Sequence, residues 1–150
     1  MVGCLEVVVV RKVIVVRAPG DEISEDELRE LLAAAGCEFH EELELASEAI
    51  EALQFEPGEA CLVVPLTAAL DEAALEAVLI IAERRGCSVI GIWPQDSEAE
   101  VTGGAIAKHA DYVIPWDPQR LEDCIGDGPP KNETPDGASR ERPITPTNKC

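Results

Sequence analysis

The sequence predicts a doubly wound α/β domain built on one parallel sheet of five strands. Three observations predict it. Short runs rich in Val and Ile alternate with longer segments of helical spacing. Most of those runs are apolar throughout rather than alternating, the pattern of strands buried on both faces. Two of them, Val89-Ile90-Gly91-Ile92-Trp93-Pro94 and Tyr112-Val113-Ile114-Pro115-Trp116-Asp117, follow helix-like segments and close on the only two tryptophans in 150 residues. As parallel strands of one sheet, they put both indoles at its carboxyl edge, where open α/β folds bind ligands.

Leu5–Arg17 is β-branched almost throughout. Arg11-Lys12 lacks the Gly or Asn of a tight hairpin turn, so the segment reads as one long strand, or as a lead-in followed by strand Lys12–Arg17. Ala18-Pro19-Gly20-Asp21 is a loop. Ser24 with Glu27 three residues later has the form of a capping box. Leu28, Leu31 and Leu32 then carry helical spacing, and Gly36 stops the helix. Acids crowd the first turn, where the helix dipole favours them.

Glu38–Leu45 is short and acidic and reads as an edge strand. Ala46–Leu53 reads as a helix, Pro57-Gly58 as a turn and Cys61–Leu66 as the third strand. Asp71–Arg85 is a helix ended by Gly86, and Ser88–Trp93 is the fourth strand. After a polar loop come a short helix Ala105–His109, a fifth strand Tyr112–Trp116 and a last helix Pro118–Ile125. This succession matches the flavodoxin-like strand order 2-1-3-4-5 with right-handed crossovers. The domain therefore spans residues 1–125. From Gly126 to Cys150 the chain is polar, contains proline and lacks periodicity, the composition of a disordered tail.

The net charge is −18, from 30 acids and 12 bases. Residues 1–125 hold 26 acids and 8 bases, so the folded body carries the whole excess. Such a body repels phosphate backbones and argues against ordinary nucleic-acid binding. It suits a basic protein partner, nucleic-acid mimicry, or plain solubility. No apolar run approaches the roughly 20 residues of a membrane span, and no secretory signal is legible, so a cytoplasmic, non-membrane protein is expected. The six cysteines show no CxxC pairing and the two histidines lie far from them, so no metal site is expected. Cys37, Cys61 and Cys87 begin or precede apolar runs and read as small buried residues at the amino edge of the sheet.

In the 2-1-3-4-5 order the ligand crevice opens between strands 1 and 3. Arg17, Gly20 and Asp21 follow strand 1, and Thr67, Asp71 and Glu72 follow strand 3. Arg17 has the charge for a phosphate or carboxylate, and Gly20 lets a ligand approach the backbone. Neither a P-loop nor a G-x-G-x-x-G fingerprint is present, and an Arg17 paired with this chain's own acids is the competing reading. Glu72, Glu76 and Glu83 share one stripe of the helix. A solvated face explains them; as chemistry, Glu76 and Glu72 are the candidate catalytic carboxylates. Trp93 and Trp116 are candidate lining of one wall of the site, or covers over the top of the core. His109, near the start of strand 5, is not read as a base.

Gly86-Cys87-Ser88-Val89-Ile90-Gly91-Ile92-Trp93-Pro94, a loop, then Ala110-Asp111-Tyr112-Val113-Ile114-Pro115-Trp116-Asp117 and Leu121…Cys124-Ile125 resemble the closing segments of the bacterial TIR-like family, Thoeris-type antiphage signalling proteins included. The resemblance covers residues 86–125, and deoxyribosyltransferase-like domains share parts of it. It implies a glutamate in the helix after strand 3, near a Ser/Trp element, in the members that cleave NAD. The corresponding position here falls near Val78, and Glu76 is two residues away, about 200° around the helix. No Ser/Trp element lies between Thr67 and Glu76. The expectation is a binding or signalling protein that works without catalysis or a cofactor, in bacterial defence or competition, an acidic immunity or inhibitor protein included; NAD or another nucleotide is the ligand expected if there is one. The competing expectation is an enzyme that hydrolyses the glycosidic bond of NAD or a nucleoside.

Overall fold

Val- and Ile-rich runs make the first, third, fourth and fifth strands, and Gly36 and Gly86 end the first and third helices. The computed structural model describes residues 12–18, 23–37, 40–54, 56, 60–67, 70–95, 104–125 and 131–133. The elements in chain order are β1 (Lys12–Arg17), α1 (Glu25–Ala34), β2 (His40–Glu44), α2 (Ser47–Glu51), β3 (Ala60–Pro65), α3 (Glu72–Arg84), β4 (Ser88–Ile92), α4 (Gly104–His109), β5 (Tyr112–Ile114), α5 (Pro118–Ile125) and β6 (Lys131–Asn132). The lead-in before Lys12 lies outside the described residues.

The sheet runs β2-β1-β3-β4-β5-β6, and every neighbouring pair is parallel. The five expected strands stand in the expected order. The sixth, Lys131–Asn132, extends the edge beyond β5. Within the stretch from Gly126 onward, which composition reads as a disordered tail, Lys131–Asn132 pairs with β5 and the Glu133 N–H bonds the Val113 carbonyl; residues 126–130 and 134–150 lie outside the described residues. Composition gave no sign of the pairing, because two polar residues carry no strand periodicity.

Alternation along each strand sends side chains to two cores. Ile14, Val16, Leu62, Val64, Val89 and Val113 join Ile50 of α2, Leu75 and Leu79 of α3 and Ile106 of α4. Val13, Val15, Cys61, Val63, Ile90 and Ile114 join Leu28 and Leu32 of α1 and Leu121 and Cys124 of α5. Helices therefore cover both faces, as a doubly wound domain requires. Cys61, Cys87 and Cys124 are buried within these cores, and Cys37 is partly buried.

Helix ends follow their residues. The Ser24 side chain accepts from the N–H groups of Asp26 and Glu27, as the capping box predicts. Gly36 and Gly86 take φ of 86° and 77° just past α1 and α3. At each, the glycine and the cysteine after it turn back onto the last turn: Gly36 N–H to Ala33 and Cys37 N–H to Leu32, Gly86 N–H to Glu83 and Cys87 N–H to Ala82. These are twin Schellman closures, and only glycine adopts that φ without strain. The short α2 closes on itself, with Ala52 N–H on the Glu48 carbonyl and Leu53 N–H on that of Ile50, and is also tied from outside. Arg85 donates from Nη1 to the Ile50 carbonyl and from Nη2 to that of Leu53, both at 2.7 Å.

Candidate functional site

The crevice between β1 and β3 is flanked by Arg17 and Thr67. Arg17 does not stand open toward it. Its Nη2 donates to the Ile23 carbonyl, and its Nη1 lies 3.8 Å from Glu42 Oε1 on β2. The guanidinium thus ties the loop after β1 and pairs with an acid of the neighbouring strand. Gly20 and Asp21 lie outside the described residues. Thr67 follows β3, with its N–H on the Pro65 carbonyl and its own carbonyl accepting from Leu70. Its Oγ1 is buried with no hydrogen-bond partner among the described residues, at the carboxyl end of β3.

The carboxylates after β3 are all engaged. Asp71 is the N-cap of α3, accepting from Ala73 N–H at 3.0 Å and Ala74 N–H at 3.1 Å. Glu72 Oε1 accepts from Ala105 N–H at 3.1 Å, at the start of α4. Glu76 Oε2 meets Lys108 Nζ at 3.2 Å and His109 Nε2 at 3.5 Å. Glu83 Oε1 meets His109 Nδ1 at 3.0 Å. The stripe is real and largely solvated, with the Glu83 side chain 64% and that of Glu76 39% exposed, and its inner edge also carries the contacts on which α4 docks. Sequence reasoning passed over Lys108 and weighed His109 only as a base. Their signal was present, since Ala105, Lys108 and His109 offer one turn of donors to acids spaced four and seven apart on α3.

These contacts set the local electrostatics. Lys108 first, then His109, hold the Glu76 carboxyl below its ordinary 4.5. A carboxylate so held stays ionised near neutrality, the opposite of the raised pKa a general acid needs. Position 78, where the resemblance implied a catalytic glutamate, holds a valine that is 1% exposed in the core.

The tryptophans do not line one wall. In the register of β4 and β5, Ile92 lies opposite Ile114, and Trp93 N–H bonds the Ile114 carbonyl. Trp116 is therefore one residue further along than Trp93, and the period of two turns it to the other face. Trp93 is 2% exposed and belongs to the core under α3 and α4, whereas Trp116 packs on the core under α1 and α5. The indole Nε1 of Trp93 donates to the backbone carbonyl of Glu133 at 2.8 Å.

Asp111, central to the resembling Ala-Asp segment, clasps the start of β4. Its N–H donates to the Val89 carbonyl, and its Oδ2 accepts the Val89 N–H at 2.9 Å. Among the described residues, no three of His, Cys, Asp and Glu gather as a metal site, and no helix is long and apolar enough to cross a membrane. Neither a protein-family model nor a curated protein matched this chain.

Proposed function

We propose that this chain is a TIR-like, flavodoxin-like α/β domain that acts by binding, without catalysis, in bacterial defence or competition. The observation that carries the reading is the state of the candidate side chains. Asp71 caps a helix, Glu72 and Glu76 hold α4, Arg17 ties a loop, and Trp93 is sealed in the core. An enzyme would keep at least one such group aimed at substrate. The setting rests on the resemblance of residues 86–125 to the Thoeris-type proteins.

The partner class follows from charge. Residues 21–59, which include α1, β2 and α2, hold 14 acids and a single base, Arg29. That stretch suits a basic protein, as an immunity or inhibitor protein would need. The test is direct. Purified protein incubated with NAD and with nucleosides is expected to release no free base. Its binding to polylysine is expected to collapse at about 0.5 M salt. Turnover that Glu76→Gln abolishes would overturn the reading.

One observation favours the second reading, hydrolysis of a nucleotide glycosidic bond. The unsatisfied Thr67 Oγ1 sits where doubly wound folds take nucleotides. The same assay decides it, and Thr67→Val would then weaken NAD or nucleoside binding.

A further inference from the structure

The outer edge of β5 is filled by a segment with nothing apolar to hold it there. Lys131, Asn132 and Glu133 are all polar, so the hydrophobic effect contributes little to their seat. What holds them is directional. Lys131 and Asn132 pair in parallel with Tyr112 and Val113. Glu133 N–H bonds the Val113 carbonyl at 2.8 Å, and the Glu133 carbonyl accepts from Trp93 Nε1 at 2.8 Å. One side chain adds selection: the Glu133 carboxylate, 11% exposed, lies 2.7 Å from Arg120 Nη1. Main-chain bonds for affinity and a side-chain contact for selection are the pattern of strand addition at a sheet edge.

This slot is easy to leave and costly to leave empty. Two paired residues offer little resistance to local opening. An empty slot strands the indole N–H of Trp93, a residue only 2% exposed, and a buried donor without an acceptor is penalised. It also bares the edge of β5, and an open edge is a template for another chain. The occupant that fits with no change of contacts is the same segment of a second copy.

We propose that the β5 edge, Trp93 Nε1 and Arg120 form a docking slot through which two copies of this chain exchange residues 131–133 and dimerise. The bonds that seat the segment within one chain then form between chains, so the exchange costs only the association itself. The net charge of −18 on each copy opposes the approach, so the dimer strengthens as salt is added. That is the reverse of the salt response expected for a basic partner. The exchange is independent of whether the domain binds or hydrolyses its ligand.

Charge reversal in the full chain tests it. Arg120→Glu sets a carboxylate against Glu133, and Glu133→Arg sets a guanidinium against Arg120, so neither variant seats its own segment. Mixed in equal amounts, each supplies the charge that the other's slot requires. Light scattering should find each variant monomeric alone and a two-fold rise in mass in the mixture. Tryptophan emission, red-shifted in each variant alone, should return to the blue. Should either variant fail to fold, the unmodified chain decides: its mass should rise toward two-fold by about 1 mM in about 0.5 M salt. A mixture that stays monomeric with red-shifted emission, or an unmodified chain that stays monomeric under those conditions, would overturn the proposal.

Discussion

The indole of Trp93 donates to the main-chain carbonyl of Glu133, 2.8 Å away and 40 residues later in the chain. Glu133 is 9% exposed and anchored twice more, by its N–H on the Val113 carbonyl and its carboxylate 2.7 Å from Arg120 Nη1. Glu133 is therefore part of the cover over the core that holds Trp93.

Trp93→Phe removes the donor and leaves that carbonyl unsatisfied. A loss of about 1–3 kcal/mol is expected in denaturant unfolding. Trp116→Phe, with no such bond among the described contacts and only partial burial, should cost about 1 kcal/mol or less. A variant ending at Ile125 should shift tryptophan emission to the red, because the Trp93 N–H then meets water.

Asp111 supplies a side-chain acceptor to Val89 just before the β4–β5 pairing begins at Ile90 and Tyr112. Asp111→Ala should cost about 1–3 kcal/mol, the penalty of an orphaned N–H. Asp111→Asn keeps an oxygen in place and should recover most of it. Thermal unfolding of the two variants side by side would show the gap.

Arg85 ties α2 through two carbonyls at once. Arg85→Lys cannot span both with one ammonium, so it should behave more like Arg85→Ala than like the parent. Both should lose about 1–3 kcal/mol. Hydrogen exchange should show the loss first in residues 50–53.

Glu76 makes stability depend on pH at the acid end. Its carboxyl titrates lower in the folded chain than its ordinary 4.5, because Lys108 and His109 favour the anion. A lowered value means the contribution is complete above 4.5 and is lost as pH falls through the folded value. Glu76→Gln should flatten the stability profile below pH 4.5, which unfolding followed across that range would show.

Much of this architecture is legible in the residues themselves. Ser24 caps α1 and Gly36 and Gly86 close helices, because each effect is local to a few dihedrals. The stripe of Glu72, Glu76 and Glu83 follows from helical period alone. Its use did not, since a carboxylate reads the same on paper whether water or α4 lies over it. The twin tryptophans misled for a related reason. Their segments look alike in composition, but the register of Ile92 against Ile114 offsets them by one residue.

The sequence by itself determined the parallel five-stranded order, the helix limits and the acidic body. These depend on periodicity, turn residues and charge, which act at short range. Only the tertiary structure decided what the polar side chains do: Arg17 as a loop tie, Asp111 as a clasp on Val89, His109 between two glutamates, and Glu133 over Trp93. Each of those bonds joins residues that are neighbours only after the crossovers close. A hydrogen bond needs its partner within about 3 Å, and no local pattern records which partner that will be.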